Sequence, residues 1–209
     1  MLGSLTAAAR LRARVGSAAP PREELIARHV KGRSFVDVGC MWTIHGALCF
    51  GAEDAGASRV TGVDVMGASE EFTAEKRRRA SKVRFVQGDV HDPATVAEIG
   101  RHDVVWCSGV LYHAPHPLLT LERLRELTGG TLLLATETVA ETPGRRGTIV
   151  IAPGPEEHPN AEPARGPNAG YGPWYWGIAP SALRTMLKLS GFQIVEEHRT
   201  PFHVTVVAR

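Results

Sequence analysis

Short apolar runs alternate with helical stretches from residue 34 onward, and that alternation constrains the fold more than any other feature of the chain. Residues 34–39, 59–65, 83–87, 103–107 and 131–136 read as strands, carried largely by valine, leucine and phenylalanine. Between them, 47–55, 70–80, 93–99 and 117–127 carry helical patterns. Strands that are apolar at consecutive positions are buried on both faces, so the repeat predicts a parallel sheet covered by helices on either side. A helix over 180–190 and strands over 192–196 and 202–208 follow. The short link between those strands makes them antiparallel neighbours. The expected architecture is a doubly wound α/β fold with a mostly parallel seven-stranded sheet, an antiparallel last strand and helices on both faces.

With 209 residues, the chain has room for one domain, expected over 31–209, after a helical segment at 1–30 that breaks at Pro20-Pro21. Residues 141–173 interrupt the pattern with seven prolines and six glycines and little periodicity. A stretch that long without regular structure inside a compact domain acts as a lid or binding loop, so 141–176 is read as a lid insertion. Net charge is +2, which gives no footprint for wrapping nucleic acid. Cys40, Cys49 and Cys107 are odd in number and lack CxxC spacing, which argues against a disulfide framework or a zinc knuckle. No apolar stretch approaches the ~20 residues needed to cross a bilayer. The expectation is a cytoplasmic protein in a reducing compartment without membrane contact; whether it pairs as a homodimer is open.

The informative stretch is Phe35-Val-Asp-Val-Gly-Cys-Met-Trp-Thr-Ile-His-Gly46, where the first strand runs into a loop that opens a helix. Open parallel sheets bind ligands at the carboxyl ends of their strands, beside the point where strand order reverses. A dinucleotide fingerprint needs G-x-G-x-x-G, and here Met41 and Ile44 stand where the second and third glycines would be. No Gly-Lys-Ser/Thr follows Gly39, so a phosphate loop fails too.

Asp37-Val-Gly39-Cys40 nevertheless resembles the first motif of the class I S-adenosylmethionine-dependent methyltransferases, an acidic residue followed by a glycine-containing turn. The resemblance continues in order. Thr61-Gly-Val-Asp64 is similar to the acidic end of that family's second strand, Val86-Gln-Gly-Asp89-Val90 to its adenine-binding third-strand motif, and Val105-Trp-Cys-Ser-Gly-Val-Leu-Tyr-His113 to its fourth-strand motif. Within the superfamily, Gly-Cys-Met-Trp and the late Pro-Trp-Tyr-Trp-Gly look most like the branch related to wobble-uridine tRNA (carboxy)methyltransferases and actinobacterial relatives. The resemblance implies a Rossmann-like fold and S-adenosyl-L-methionine as cofactor. It implies a cofactor site of Asp37, Gly39, Cys40, Met41, Asp64, Val65, Gly88, Asp89, Val90, Cys107 and Ser108. In chemical terms, Asp64 would accept from ribose hydroxyls, Asp89 from the adenine amine and Asp37 from the methionine ammonium.

On the acceptor side, His113 follows the fourth strand, and an imidazole titrating near neutrality suits general-base work; a histidine bonded to backbone at a helix start is the equally good structural reading. Glu137, at the end of the fifth strand, is the second catalytic candidate. His113 and His116 lie three apart, but no third ligand completes a metal pattern. Tyr112, His113, Tyr171, Trp174, Tyr175 and Trp176 form the expected substrate-binding set, since aromatics over a strand-end pocket can stack on an acceptor. The reading is methyl transfer to a small molecule, with tRNA modification as the alternative. A non-catalytic cofactor-binding or scaffold protein is the third, suggested by Met41-Trp42-Thr43 in place of a glycine-rich turn.

Overall fold

A computed structural model describes residues 19–151 and 176–209. In chain order the elements are α1 (Arg22–Val30), β1 (Ser34–Val38), α2 (Ala47–Asp54), β2 (Arg59–Asp64), α3 (Glu70–Arg78), β3 (Arg84–Gln87), α4 (Pro93–Ile99) and β4 (His102–Ser108). A 3-10 turn (Leu111–His113) follows, then α5 (Pro117–Leu127), β5 (Thr128–Glu137), β6 (Ile149–Ile151), β7 (Trp176–Ile178), α6 (Pro180–Leu189), β8 (Ile194–Arg199) and β9 (His203–Ala208).

Seven strands form one sheet in the order β3-β2-β1-β4-β5-β9-β8. The first five run parallel, and β9 inserts antiparallel between β5 and β8. This is the Rossmann-like arrangement expected from the strand–helix repeat. Strand order reverses between β1 and β4, so the exits of those strands, after Val38 and Ser108, frame the crevice where such sheets bind ligands.

Alternation along each buried strand divides the core between the two faces. Val36, Val38, Leu132 and Leu134 meet Val96, Leu121, Leu124, Leu183 and Leu187 from α4, α5 and α6. Phe35, Leu133 and Ala135 meet Leu25, Leu48, Phe50 and Phe72 from α1, α2 and α3. Helix α3 starts where Ser69 accepts from the Phe72 N–H at 3.1 Å, and α4 where Asp92 accepts from the Ala94 N–H at 2.9 Å.

Two elements differ from the sequence reading. Strand β5 begins at Thr128 and not at 131, running through Gly129 and Gly130. Those glycines let it close against the start of β4: an added Cβ would lie 3.0 Å from the His102 carbonyl oxygen at Gly129 and 2.8 Å from that of Asp103 at Gly130. The Pro/Gly-rich insertion also contains regular structure, because β6 near its start pairs antiparallel with β7. Ile151 faces Trp176 in that ribbon, and the Trp176 indole Nε1–H donates to the Ala114 carbonyl at 2.8 Å, fixing the ribbon to the turn after β4. Glu141 accepts from both the N–H and the hydroxyl of Ser181, each at 2.7 Å, and so ties the chain after β5 to the first turn of α6. Trp176→Phe deletes the indole donor and keeps most of the ring. It should weaken the ribbon by about 1–2 kcal/mol, and hydrogen exchange at 149–151 and 176–178 should accelerate by about 5- to 30-fold.

Candidate active site

The loop leaving β1 is held by one side chain from the neighbouring strand. Asp64 Oδ2 accepts the Met41 N–H at 2.7 Å, and Oδ1 accepts the Met66 N–H at 2.9 Å. Burial raises the pKa of Asp64, and the bonds from Met66 and Met41 oppose that shift. Gly39 N–H donates to the Val63 carbonyl at 2.9 Å, a second clasp between loop and strand. Gly39 also has φ of 84°, and a Cβ there would lie 2.4 Å from Val110 Cγ2, so only glycine lets the two strand exits approach this closely.

Beyond Gly39 the loop is built without the glycines that would ease it. Thr43 and His45 adopt φ of 56° and 45°. The left-handed region is costly for a β-branched residue, roughly 1–3 kcal/mol. The Met41 side chain is buried in the core on the α1–α3 face, leaving its backbone to shape the loop, whereas Trp42 is 52% exposed. His45 Nδ1 lies 3.0 Å from Ser69 Oγ, tying the loop to the start of α3. A hollow of about 300 Å³ lined by Ile44, His45, Phe50, Glu71 and Arg79 among others lies on that helix side of the loop, not at the strand ends.

Asp37 is 1% exposed, with Cys49 Sγ donating to its Oδ2 at 3.7 Å. Burial pushes its pKa up to about 7, against the lowering effect of the Cys49 hydrogen bond. Cys40 and Cys107 are 0% exposed and Val90 is buried, so the side chains of these expected cofactor residues lie within the core at the strand exits. Val65, Gly88, Asp89 and Ser108 are half-buried at the strand exits. Asp89 Oδ1 accepts the His91 N–H at 2.8 Å. His91 Nε2 lies 2.7 Å from Thr120 Oγ1, and the Thr120 hydroxyl donates to the His116 carbonyl at 3.2 Å, so Nε2 is the donor in the first contact. This network links Asp89 to the start of α5.

On the other side of the crevice, the rings of Tyr112 and His113 lie 4.2 Å apart in the turn after β4. Burial raises the Tyr112 hydroxyl to about 12, with the Glu137 charge adding to the shift. Glu137 ends β5, where its cross-strand partner is His203 of β9. The sequence reading did not find His203, because only the β5–β9 register puts it there. Trp176 is half-buried beside the same turn; Tyr171, Trp174 and Tyr175 lie outside the described residues. No group of three or more His, Cys, Asp or Glu among the described residues could hold a metal ion, and no helix among them is long and apolar enough to cross a membrane.

Residues 36–134 match the methyltransferase domain family. Over that stretch, just under half of its length, the chain carries a methyltransferase domain. It is 30% identical over 144 residues to the tRNA U34 carboxymethyltransferase of Alteromonas mediterranea, a match covering 61% of this chain and 39% of that protein. It therefore spans about two fifths of that relative's length. Among solved structures, the N-terminal domain of EvdMO1 with SAH bound shares the fold at a TM-score of 0.66 and 18% identity, covering 90% of this chain and 78% of that one. A Burkholderia thailandensis 1,6-didemethyltoxoflavin-N1-methyltransferase with bound 1,6-didemethyltoxoflavin and S-adenosylhomocysteine aligns at a TM-score of 0.63 and 21% identity, over 90% and 76% of the two chains. S-adenosylmethionine is the family's cofactor, and the crevice suits it chemically. Asp64 and Asp89 are acceptors for hydroxyl and amine donors, while no lysine or arginine occurs between Phe35 and Gly46 to draw a phosphate.

Thr43→Gly should stabilise the chain by about 1 kcal/mol by relieving the left-handed threonine, read as a higher urea midpoint; an unchanged or lower midpoint would show that the loop carries no such strain. For Asp37, the folded-state pKa lies above the ordinary 3.8, so its contribution to stability is complete below 3.8 and lost as pH rises through about 7. Asp37→Asn should flatten this dependence, on the order of 2–4 kcal/mol for the fully buried group. Denaturation at pH 5 and pH 8.5 gives the comparison, and parallel pH profiles for variant and wild type would exclude the buried-acid assignment.

Proposed function

We propose that the chain methylates a small-molecule acceptor held between the Gly39 loop, the Tyr112–His113 turn and the end of β5. The observation that supports it best is the division of the crevice. Asp64 and Asp89 stand at the exits of β2 and β3, while Tyr112, His113 and Glu137 stand beyond β4 and β5. One side offers acceptors for a nucleoside, and the other offers aromatic and titratable groups for a second molecule.

In this reading Asp64 binds the ribose hydroxyls through the lone pairs left free by Met41 and Met66, and Asp89 takes the adenine amine. Asp37, buried with Cys49, supports the loop from below. Bound S-adenosylmethionine supplies an already activated methyl group, so the protein's task is chiefly to hold the acceptor in line and exclude water. Tyr112 and His113 form an aromatic wall for the acceptor, and Glu137 sets the local charge. Trp176, bonded to Ala114, closes that wall from the insertion side. A net charge of +2, without a basic footprint, favours a compact acceptor over a folded RNA. Transfer to wobble uridine in tRNA is the second reading, favoured by the identity to the Alteromonas mediterranea protein. The three free, buried cysteines suit a reducing compartment such as the cytoplasm.

Calorimetry should show S-adenosylhomocysteine binding and no NAD binding. Asp64→Ala should weaken the former by about 1.5–3 kcal/mol, the worth of charge-assisted hydrogen bonds, and lower thermal stability because the loop loses its clasp. Full affinity in a folded Asp64→Ala protein would falsify the ribose assignment. With methyl-labelled cofactor, label should enter small organic acceptors and not tRNA; label in tRNA alone would favour the second reading.

A further inference from the structure

At the acceptor end of the sheet, Glu137 and His203 are direct partners across the antiparallel β5–β9 ladder, so their side chains project from the same face. The Thr138 N–H donates to the Phe202 carbonyl at 2.9 Å just beyond them, which holds the hairpin between β8 and β9 against the end of β5. Both side chains are half-buried, so they line the end of the sheet without being sealed into it. Burial raises the Tyr112 hydroxyl, and the Glu137 charge adds to that shift.

We propose that His203, facing Glu137 across the ladder, takes the proton from the acceptor, and that the acceptor is therefore a hydroxyl compound. This rests on the reading of the chain as a small-molecule methyltransferase. Burial lowers the His203 pKa and the Glu137 charge opposes that shift, so the imidazole is neutral near pH 7 and a carboxylate waits beside the imidazolium that forms. Such an arrangement favours charge that develops during transfer over charge present beforehand. A hydroxyl acceptor needs that help, because its oxygen must lose a proton as it forms the new bond. The acceptor's O–H electron pair is retained on oxygen as an oxygen lone pair bonds to the methyl carbon. The proton passes to a ring nitrogen of His203, and sulfur keeps the electrons of the bond that breaks. The positive charge lost from sulfur thus appears on His203, opposite Glu137, and leaves with the proton to water.

The test is proton linkage, read by calorimetry with 4-nitrophenolate as probe on protein saturated with S-adenosylhomocysteine at pH 8. Two buffers of different ionisation enthalpy report the protons taken up. An anionic oxygen beside a neutral His203 should draw about one proton onto the ring in the wild type, and uptake should fall about tenfold in His203→Gln. Glu137→Gln, which keeps shape and removes the charge, should reduce uptake in a protein that still binds S-adenosylhomocysteine. Equal uptake in wild type and His203→Gln, no uptake in either, or no binding of the probe overturns the proposal. So does preferential binding of benzylammonium, which would assign Glu137 to a cationic acceptor. Failure to bind S-adenosylhomocysteine would instead count against the methyltransferase reading beneath it.

Discussion

Two backbone N–H groups converge on the Asp64 carboxylate, one from Met41 on the loop after β1 and one from Met66 just past β2. Hydrogen bonds to an ionised acceptor are stronger than those between neutral groups, and here they outline the crevice. They hold the loop against β2 while Gly39 lets Val110 come in from the β4 side. The same carboxylate is the proposed ribose ligand, so loop shape and ligand recognition depend on one side chain. Burial raises its pKa, and the backbone donors oppose the rise.

Most of the architecture was legible because its signal is local. Continuous apolar strands followed by helices of fixed period specify a parallel sheet, and the topology follows from few further choices. The start of β5 was misplaced because Gly129-Gly130 looks like a turn, whereas the glycines permit a close approach to His102 and Asp103 that no short-range pattern reveals. The β6–β7 ribbon was missed for a related reason. Ile149–Ile151 is a short run whose partner lies at Trp176–Ile178, so its pairing is set by tertiary closure and not by composition.

The candidate site divides along the same line. The positions of Asp64, Asp89 and Glu137 at the strand exits could be read from the sequence because each closes or follows a strand, and strand ends in such sheets face the crevice. Asp37 sits on an equally conspicuous motif, but its contact with Cys49 and the burial that raises its pKa come from tertiary packing that no local pattern reveals. The link from Asp89 through His91 and Thr120 to His116 spans separate elements. His203 likewise depends on the register between strands distant in sequence.

The Trp176 indole, bonded to Ala114 and paired with Ile151 through the ribbon, fixes both ends of the stretch between residues 151 and 176. When the ends of a loop are held by the fold, doubling its length costs only about 0.6 kcal/mol in closure entropy. The ribbon therefore works as a fixed clamp beside the turn after β4. Changes in the number of residues between those two anchors would cost little closure entropy and leave the sheet and the Asp64 clasp in place.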